Sequence, residues 1–448
     1  MNDFDTDVLV VGTGPAGLTA ALALATYGVR VHGITRHRWL SNTPRAHITN
    51  QRSMEVLRDL GVEEEVRRYG SPWEVMGDTL ITTSLAGPEI ARIRAWGTGE
   101  EHLGSYLAAS PCPMLDLPQP YLESVLLRNA AERGAEFSFS TEYLGHVQDG
   151  DGVTAELMDR RSGRRYQVRA RYLIGADGAS SRIAAQLDLP IEGEMERAAT
   201  VYVQFEADLT RLVEHRPSIL YWIATAGGAY GEIGLGLLRA VRPWTGWIAG
   251  WGFDRSAGDP DLSEPTVRAR IAEFIGDDSI EVNVTRSSIW LVNEAYATRY
   301  HRGRVFCAGD AVHRHPPSGG LGSNTSLQDA FNLAWKLAHV LQGWAARELL
   351  SSYSPERVPV GEQVVRRANR SRREFAALNA ALRAPEAHDP VRGVLDRLHD
   401  TSAAGADTRA QLALALAQKN YEFNALGVEH NQRYVSAAVL PDGSGPEE

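Results

Sequence analysis

The stretch TDVLVVGTGPAGLTAALALATYG, residues 6–28, decides the fold. Its first six residues are a largely β-branched run that predicts a buried strand. Residues 15–27 carry small and aliphatic side chains at helical spacing, and Gly28 is a helix stop. Residues 29–34 predict a second strand. A strand, a helix and a strand in this order predict a βαβ unit within a parallel sheet.

The loop that joins the first strand to the helix has the sequence GTGPAG, which fits the pattern GxGxxG. We expect Gly12 to permit the tight turn, Gly14 to let a pyrophosphate approach the backbone, and Gly17 to let helix and strand pack closely. Pro15 and Ala16 open the predicted helix, whose N-terminus supplies free N–H groups and partial positive charge. The loop therefore predicts a dinucleotide site.

An acidic residue is expected at the end of the second strand, where it would hold the ribose hydroxyls. The sequence has Thr35 there instead, followed by Arg36. A hydroxyl can accept the same hydrogen bond less strongly, so this departure concerns one contact and not the fold.

Two further dipeptides favour FAD over NAD. Asp177-Gly178 follows the predicted strand 171–176. Gly309-Asp310 follows the predicted strand 304–308 and enters a loop rich in glycine and proline, before a predicted helix at 323–342. Either dipeptide alone is common, but their order and their places after buried strands are specific.

Composition excludes several classes of protein. The 448 residues include 46 basic and 56 acidic ones, and the resulting net charge of −10 argues against a nucleic-acid-binding surface. The two cysteines, Cys112 and Cys307, rule out a disulfide framework and a multi-cysteine metal site, and we predict no metal. No apolar run approaches the ~18 residues of a membrane span, and the acidic start lacks the basic region of a secretory signal. We expect a cytoplasmic protein.

The α/β pattern of the chain is interrupted by two stretches that predict strands and resumes after them. Residues 75–107 alternate like strands, and 195–290 predict short, aromatic-rich strands at 200–207, 218–224, 231–240 and 245–253, with a helix at 264–275. We predict an α/β fold with a Rossmann-like FAD-binding domain, an inserted antiparallel-sheet substrate domain and a helical C-terminal region. The expected ranges are 1–74, 108–190 and 291–344 for the first, 75–107 and 191–290 for the second, and 345–440 for the third.

With these motifs the chain resembles the class A flavin monooxygenases, the single-component aromatic hydroxylases, over residues 5–435. Four stretches are similar to the 2,4-dichlorophenol 6-monooxygenase and phenol hydroxylase type within that family. They are PRAHITNQRSMEVLRDLG (44–61), RPSILYW (216–222), GDAVHRHPPSGGLGSNTSLQDAFNLAWKLA (309–338) and NYEFNALGVEHNQRY (420–434).

The resemblance implies an FAD- and NAD(P)H-dependent hydroxylase that inserts one atom of O2 into a phenolic or related ring through a flavin C4a-hydroperoxide. We see no second nucleotide-binding βαβ unit, so NAD(P)H is expected to bind transiently, with NADPH favoured by the family. The FAD contacts that the resemblance and the glycine loop imply are Gly12, Gly14, Pro15, Ala16, Gly17, Thr35, Arg36, Arg45, Gln119, Asp177, Asp310, Gly320, Leu321, Gly322 and Asn324.

Oxygen transfer is faster to a phenolate than to a phenol, so we expect a base beside the substrate hydroxyl. His47 lies where phenol-type relatives place a substrate-facing acidic residue, and Tyr221 is the next candidate. His313 and His315 are expected to shape the flavin loop and not to bind zinc. The predicted substrate contacts are His47, Tyr221, Trp222, Trp247 and Pro317, although ordinary sheet core is the alternative for any single aromatic ring of the sheet.

Other functions of the same fold stay open. One is a tailoring flavoenzyme that decarboxylates or reduces, and another is a non-catalytic FAD-binding protein. A halogenase is disfavoured, because the WxWxIP-type motif and a pocket lysine are missing from the sequence. Phenol-type relatives continue into a thioredoxin-like C-terminal domain, which we expect to be absent here, and a homodimer is one outcome that this leaves open.

Overall fold

The computed structural model describes residues 4–224, 233–382, 390–441 and 443. Its strands, in chain order, are β1 (Thr6–Val11), β2 (Val31–Ile34), β3 (Ile48–Thr49), β4 (Ser71–Pro72), β5 (Asp78–Thr82), β6 (Glu89–Arg94), β7 (Leu115–Asp116), β8 (Glu136–Ser138), β9 (Thr141–Gln148), β10 (Val153–Asp159), β11 (Arg165–Gly175), β12 (Ile191–Glu206), β13 (Leu220–Ile223), β14 (Gly236–Arg242), β15 (Gly246–Phe253), β16 (Asn283–Ala297), β17 (His301–Arg302), β18 (Val305–Cys307) and β19 (His313–Arg314).

Its α-helices are α1 (Pro15–Thr26), α2 (Gln51–Asp59), α3 (Glu63–Arg67), α4 (Trp73–Met76), α5 (Glu100–Ala109), α6 (Gln119–Glu132), α7 (Arg182–Gln186), α8 (Thr210–Val213), α9 (Glu264–Ile275), α10 (Leu321–Leu341), α11 (Tyr353–Arg373), α12 (Phe375–Leu382), α13 (Pro390–His399), α14 (Ala403–Phe423) and α15 (Leu426–Glu429). No helix among the described residues is long and apolar enough to cross a membrane.

The predicted βαβ opening forms the centre of the first sheet, whose order is β17-β18-β11-β1-β2-β8. β1 pairs in parallel with both β2 and β11, and all but one of its side chains are buried. A strand that is buried on both faces has a nearly continuous run of apolar residues. The run TDVLVV therefore predicted β1 correctly. α1 packs against α6 and α10. Its alanines are among the buried residues, and their small side chains leave room for this close packing.

The second sheet runs β19-β16-β12-β15-β14-β13-β5-β6, and α9 packs over one of its faces. β5 and β6 come from the 75–107 stretch and β12 to β16 from residues 191–297, so both predicted parts contribute strands to one sheet. β5 lies parallel to β13, so the sheet is not wholly antiparallel as predicted. The division into domains stays a prediction.

Three predicted elements differ from the structure. The predicted strand 171–176 is the last part of the longer β11, which ends at residue 175, and the predicted strand 200–207 is the end of the longer β12. The first two residues of the predicted strand 231–240 lie outside the described residues. The end of the 75–107 stretch, from residue 100, is helical instead of strand-like, because Glu100 and Glu101 favour a helix N-terminus, and only Tyr106 of α5 is buried. With so few buried side chains, no apolar helical stripe marks this segment in the sequence.

A buried ion network joins α10 to α11 and to the turn after β18. Asp329 accepts hydrogen bonds from the Gly309 backbone N–H (3.1 Å), from His313 Nε2 (2.8 Å) and from Arg357 Nε (2.7 Å). The side chains of His313, Asp329 and Arg357 are fully buried. Burial alone would raise the pKa of Asp329, but Arg357 and His313 hold it below its usual value. The carboxylate is therefore charged and fixes the Gly309-Asp310 turn against α10.

We predict that Asp329→Asn lowers the free energy of unfolding by about 3–5 kcal/mol, because it leaves the buried Arg357 guanidinium without its counter-charge. Urea unfolding followed by circular dichroism measures the loss. Asp407→Asn, an exposed change on α14, is the control and should cost less than about 0.5 kcal/mol. Adding Arg357→Met to Asp329→Asn should recover part of the loss. A single variant as stable as the control would contradict the role of the network.

Candidate active site

Four of the predicted turns meet at one edge of the first sheet. β1, β2, β11 and β18 are parallel, so their carboxyl ends lie on the same side. Gly12 follows β1, Thr35 follows β2, Asp177 comes two residues after β11, and Asp310 comes three residues after β18. In open α/β sheets this edge is where ligands bind.

The GTGPAG loop has the geometry that its three glycines predicted. Gly12 has φ +115°, and a Cβ there would lie 2.0 Å from the Ala176 carbonyl oxygen. A Cβ on Gly17 would lie 2.0 Å from the Gly12 carbonyl oxygen, so only glycine lets α1 pack this closely. Gly14 has no atom within 4 Å of a Cβ position, and no side chain caps α1, which starts at Pro15. Open space beside uncapped helical N–H groups fits a diphosphate.

A second uncapped helix N-terminus belongs to α10, which starts at Leu321 after two residues with positive φ, Gly319 and Gly320. A Cβ on Gly320 would lie 2.7 Å from the Ile48 Cβ. The structure therefore contains the predicted glycine turn, at Gly319 and Gly320, and this turn brings α10 against the segment that follows His47. Gly322 is half-buried and follows directly in the first turn.

The Asn324 side chain is occupied within the protein. Its amide nitrogen donates to the carbonyl oxygens of Ile48 (2.8 Å) and Gly320 (2.7 Å), and its oxygen accepts from the Asn50 N–H (2.9 Å). Asn324 therefore fastens α10 to residues 48–50, and its contact with FAD stays a prediction, for which its backbone is the available group.

The predicted carboxylates differ in availability. Asp177 accepts from Ser181 Oγ (2.6 Å) and from the Arg182 N–H (2.8 Å), so both of its oxygens cap α7. A direct contact between the Asp177 carboxylate and FAD stays a prediction. Asp310 is exposed, and its carboxylate has no hydrogen-bond partner among the described residues. Asp310 is thus the free acceptor at this edge.

At the end of β2, the Thr35 side chain is buried. Its hydroxyl oxygen accepts from the His37 N–H at 3.4 Å, while the next residue, Arg36, is exposed. The structure places both residues at the predicted edge, and their contacts with a ribose stay predictions.

Gln119 holds the loop that carries Arg45. Its backbone N–H donates to the Ala46 carbonyl oxygen (2.8 Å), and its side-chain oxygen accepts from the Ala46 N–H (3.4 Å). Its amide nitrogen donates to Glu123 (2.7 Å). Gln119 therefore fixes the backbone next to the exposed Arg45, and a direct contact between its amide and FAD stays a prediction.

His47 forms a pair that the sequence did not predict. Its Nδ1 lies 2.5 Å from Asp116 Oδ1, and since a carboxylate accepts, Nδ1 carries the proton and leaves Nε2 as an acceptor. Burial, assisted by the charge of Arg239, lowers the pKa of His47 to about 4, although Asp116 acts in the opposite direction. The imidazole is therefore neutral at pH 7. Asp116 begins the segment DLPQPYLESVLL, in which only Gln119 was singled out.

Arg239 is the second site residue that sequence reasoning missed. It lies in the middle of β14, is 97% buried, and donates from Nη1 to the Pro44 carbonyl oxygen at 2.6 Å. Burial lowers its pKa to about 10, so the side chain remains charged at pH 7. A charged residue at the centre of the strand GLLRAVR was the available signal.

The aromatic residues of the second sheet divide between its two faces. Tyr221 and Trp247 are fully buried in the core beneath α9, and Tyr221 donates to the Arg216 carbonyl oxygen (3.1 Å) and accepts from the Ser218 N–H (3.0 Å). Burial raises the pKa of this hydroxyl. Tyr221 pairs with Leu238, one residue from Arg239, so strand alternation turns it away from His47. The expectation that Tyr221 and Trp247 contact the substrate is corrected accordingly.

Trp222 lies on the same face as Arg239, but its ring packs 4.6 Å from that of Phe375, and its indole N–H donates to Thr79. Pro317 is exposed on the loop before α10, and His315 shapes that loop by donating from Nδ1 to the Pro316 carbonyl oxygen (2.7 Å). Among the described residues, no three acidic, histidine or cysteine side chains form a group that could hold a metal.

Comparison with known proteins gives these features a context. A family model described as FAD binding domain matches residues 5–368. 2,4-Dichlorophenol 6-monooxygenase from Cupriavidus pinatubonensis is 51% identical over 445 residues, which are 99% of this chain and 74% of that protein. Phenol 2-monooxygenase from Pseudomonas sp. is 45% identical over 446 residues, or 99% of this chain and 71% of the relative.

Solved structures agree with the sequence matches. The flavin-dependent monooxygenase PieE, in complex with FAD and substrate, superposes with a TM-score of 0.95 at 42% identity, over 100% of this chain and 78% of PieE. Aklavinone-11 hydroxylase, with FAD and aklavinone, gives a TM-score of 0.74 at 33% identity, over 82% of this chain and 69% of that chain. The glycine loop, the two uncapped helix N-termini and these matches show that the chain belongs to the FAD binding domain family, among its FAD-dependent monooxygenases.

Proposed function

We propose that this protein is an FAD-dependent, NAD(P)H-consuming hydroxylase that inserts one atom of O2 into a phenolic ring, with NADPH as the favoured donor. The observation that carries the proposal is the His47–Asp116 pair, at 2.5 Å, on the segment that packs against the Gly319-Gly320 turn before α10. Relatives that act on phenol and on 2,4-dichlorophenol support the substrate class. The oligomeric state stays a prediction.

The residues at the sheet edge fit FAD. The open space at Gly14 and the uncapped α1 suit the diphosphate, and the free Asp310 carboxylate can accept from a ribose or ribityl hydroxyl. The uncapped N-terminus of α10 offers N–H groups and partial positive charge to an anionic ring edge. When bound, FAD supplies the redox chemistry, taking a hydride from NAD(P)H and activating O2.

His47 and Asp116 then act on the substrate hydroxyl. The neutral imidazole accepts the phenol proton at Nε2, and the electron pair of the broken O–H bond stays on the phenolate oxygen. Asp116 holds the ring in the tautomer with Nδ1 protonated and stabilises the imidazolium that forms. The phenolate is a better nucleophile toward electrophilic oxygen than the phenol, so proton removal favours hydroxylation beside the hydroxyl group, giving a catechol.

We predict that the purified protein is yellow and that Asp310→Ala weakens FAD binding by about 10- to 100-fold, the worth of a hydrogen bond to a charged group. Titration of the apoprotein with FAD, followed by flavin fluorescence, measures the Kd. Asp259→Ala, an exposed carboxylate in a loop of the second sheet, is the matched control and should bind FAD normally. A wild-type protein that stays colourless and takes up no FAD would refute the proposed function.

We predict that His47→Ala still binds FAD and still accepts electrons from NADPH, but forms hydroxylated product roughly 10²–10⁴-fold more slowly, the usual contribution of a positioned base. Hydrogen peroxide should rise as product falls, and the loss should shrink for chlorinated phenols, which ionise unaided. The wild-type kcat/KM should stay level down to about pH 5, because the pKa of His47 is about 4.

Product mass and NADPH consumption are measured together. Asp116→Asn should show a smaller loss than His47→Ala, since it disturbs the tautomer and the stabilisation of the imidazolium but keeps the base itself. The exposed His215→Ala should behave like wild type. If His47→Ala hydroxylates with unchanged coupling, the base lies elsewhere. Loss of CO2, or no turnover with a panel of phenols, would favour the decarboxylating or non-catalytic alternative.

A further inference from the structure

One glycine in the interior of β15 is required neither by the backbone nor by packing. Gly250 does not have a positive φ, so other residues can adopt its conformation. A Cβ built on it would lie 3.7 Å from the Val201 carbonyl oxygen and 3.8 Å from Leu237, which are ordinary contacts. By contrast, a Cβ on Gly236 of β14 would lie 2.3 Å from the Phe274 ring. Glycine weakens a strand interior and often marks a position where a ligand approaches the backbone.

Strand pairing places Gly250 on the face of the second sheet that carries Arg239. Gly250 pairs with Leu237 on β14 and with Tyr202 on β12, in a register that is regular at this point, so no bulge accounts for the glycine. Arg239 pairs with Ile248, two residues before Gly250. Paired residues, and residues two apart on one strand, share a face, so Gly250 lies between Tyr202 and Leu237 beside Arg239. The other face of β15 is covered by α9.

The face that carries Gly250 is also the one beside His47. Arg239 donates to the Pro44 carbonyl oxygen at 2.6 Å. Burial, assisted by the charge of Arg239, lowers the pKa of His47, so the guanidinium is close to the imidazole. Gly250 lies two residues along β15 from the partner of Arg239, a rise of about 7 Å. A phenol with its hydroxyl at His47 and a substituent on the opposite ring carbon spans such a distance.

We propose that Gly250 determines which substituted phenols the site accepts, because the substituent opposite the hydroxyl lies over Gly250, between Tyr202 and Leu237. The inference rests on the proposed function and adds the ring position at which the site takes a group larger than hydrogen. Gly250 contacts that substituent and neither the substrate hydroxyl nor the ring carbon that is hydroxylated. Its effect is therefore on the choice of substrate and not on the chemical step.

The surroundings of Gly250 suit an apolar substituent. Gly250 is buried, while Tyr202 and Leu237 are half-buried. Leu237 packs against the apolar cluster that contains Ile48, the residue after His47. A methyl group or a chlorine atom placed there would be removed from water, which favours binding. Since a Cβ at position 250 makes only ordinary contacts, a larger residue would occupy the space that the substituent needs.

The test compares phenol, 3-methylphenol and 4-methylphenol in wild type and in Gly250→Ala. The added methyl group of Gly250→Ala takes the space of the substituent, so kcat/KM for 4-methylphenol should fall roughly 10- to 200-fold, the usual effect of one such group in an apolar pocket. Phenol and 3-methylphenol should change little. Product formation and NADPH consumption measure turnover. Calorimetric titration of the oxidised holoenzyme with each phenol, without NAD(P)H, measures the Kd independently of turnover and should show the same selective loss.

Leu237→Ala supplies a compensating change, because it removes the side chain that borders the same space. The double variant Gly250→Ala/Leu237→Ala should therefore recover most of the binding of 4-methylphenol, a coupling expected of two residues that contact one group. Gly104→Ala is the matched control and should behave like wild type, since Gly104 is an exposed glycine on α5 with open space at its Cβ position.

Three results would overturn the inference. Equal weakening of all three phenols by Gly250→Ala would indicate a distorted sheet. An unchanged ratio of 4-methylphenol to phenol would show that the substituent lies elsewhere, and a selective loss of 3-methylphenol would assign Gly250 to another ring position. A wild-type protein that binds the phenols without hydroxylating them refutes the proposed function alone, because the Kd values still test Gly250. A wild-type protein that binds none of them refutes both.

Discussion

The backbone of residues 44–50 is held by hydrogen bonds from four other parts of the chain, and the geometry of the site depends on them. Arg239 of β14 bonds to Pro44, Gln119 of α6 to Ala46, the N–H of Leu117 to His47, and Asn324 of α10 to residues 48 and 50. The segment has little secondary structure of its own beyond the two-residue β3. Bonds from the second sheet, from the segment between β7 and α6, and from the helices α6 and α10 therefore determine where Arg45 and His47 lie.

Two buried arginines, Arg357 and Arg239, differ in whether the protein itself supplies partners for all of their N–H groups. Arg357 is saturated, since Asp329, Gln432 and Tyr434 all accept from it. Burial alone would lower its pKa, but Tyr434 and Asp329 raise it above the usual value. Arg239 meets only carbonyl oxygens, and burial lowers its pKa to about 10. Comparable burial thus produces a structural ion network in one place and an unfilled hydrogen-bonding position in the other.

The elements that the sequence predicted well are those whose signals are local. The helix expected at 264–275 is α9 (Glu264–Ile275), and the GTGPAG turn shows the tight turn at Gly12 and the close helix packing at Gly17 that its spacing predicted. α5 was missed because its apolar side chains Leu103 and Leu107 are exposed and produce no stripe. Trp247 was placed at the substrate because a strand pattern reveals alternation but not which face will be covered, and α9 covers the face of Trp247.

By itself, the sequence determined the parallel α/β sheet, the glycine turn before α1, the glycine loop before α10 and, through a family resemblance, the candidate role of His47. The tertiary structure alone decided that Asp116 pairs with His47, 69 residues away, and that Arg239 reaches Pro44 across 195 residues. It also decided that Asp177 and Asn324 have side chains already bonded within the protein. The physical reason is that neighbouring residues specify glycine turns and buried strands. The partner of a buried charge depends instead on which strands and loops the whole chain brings together.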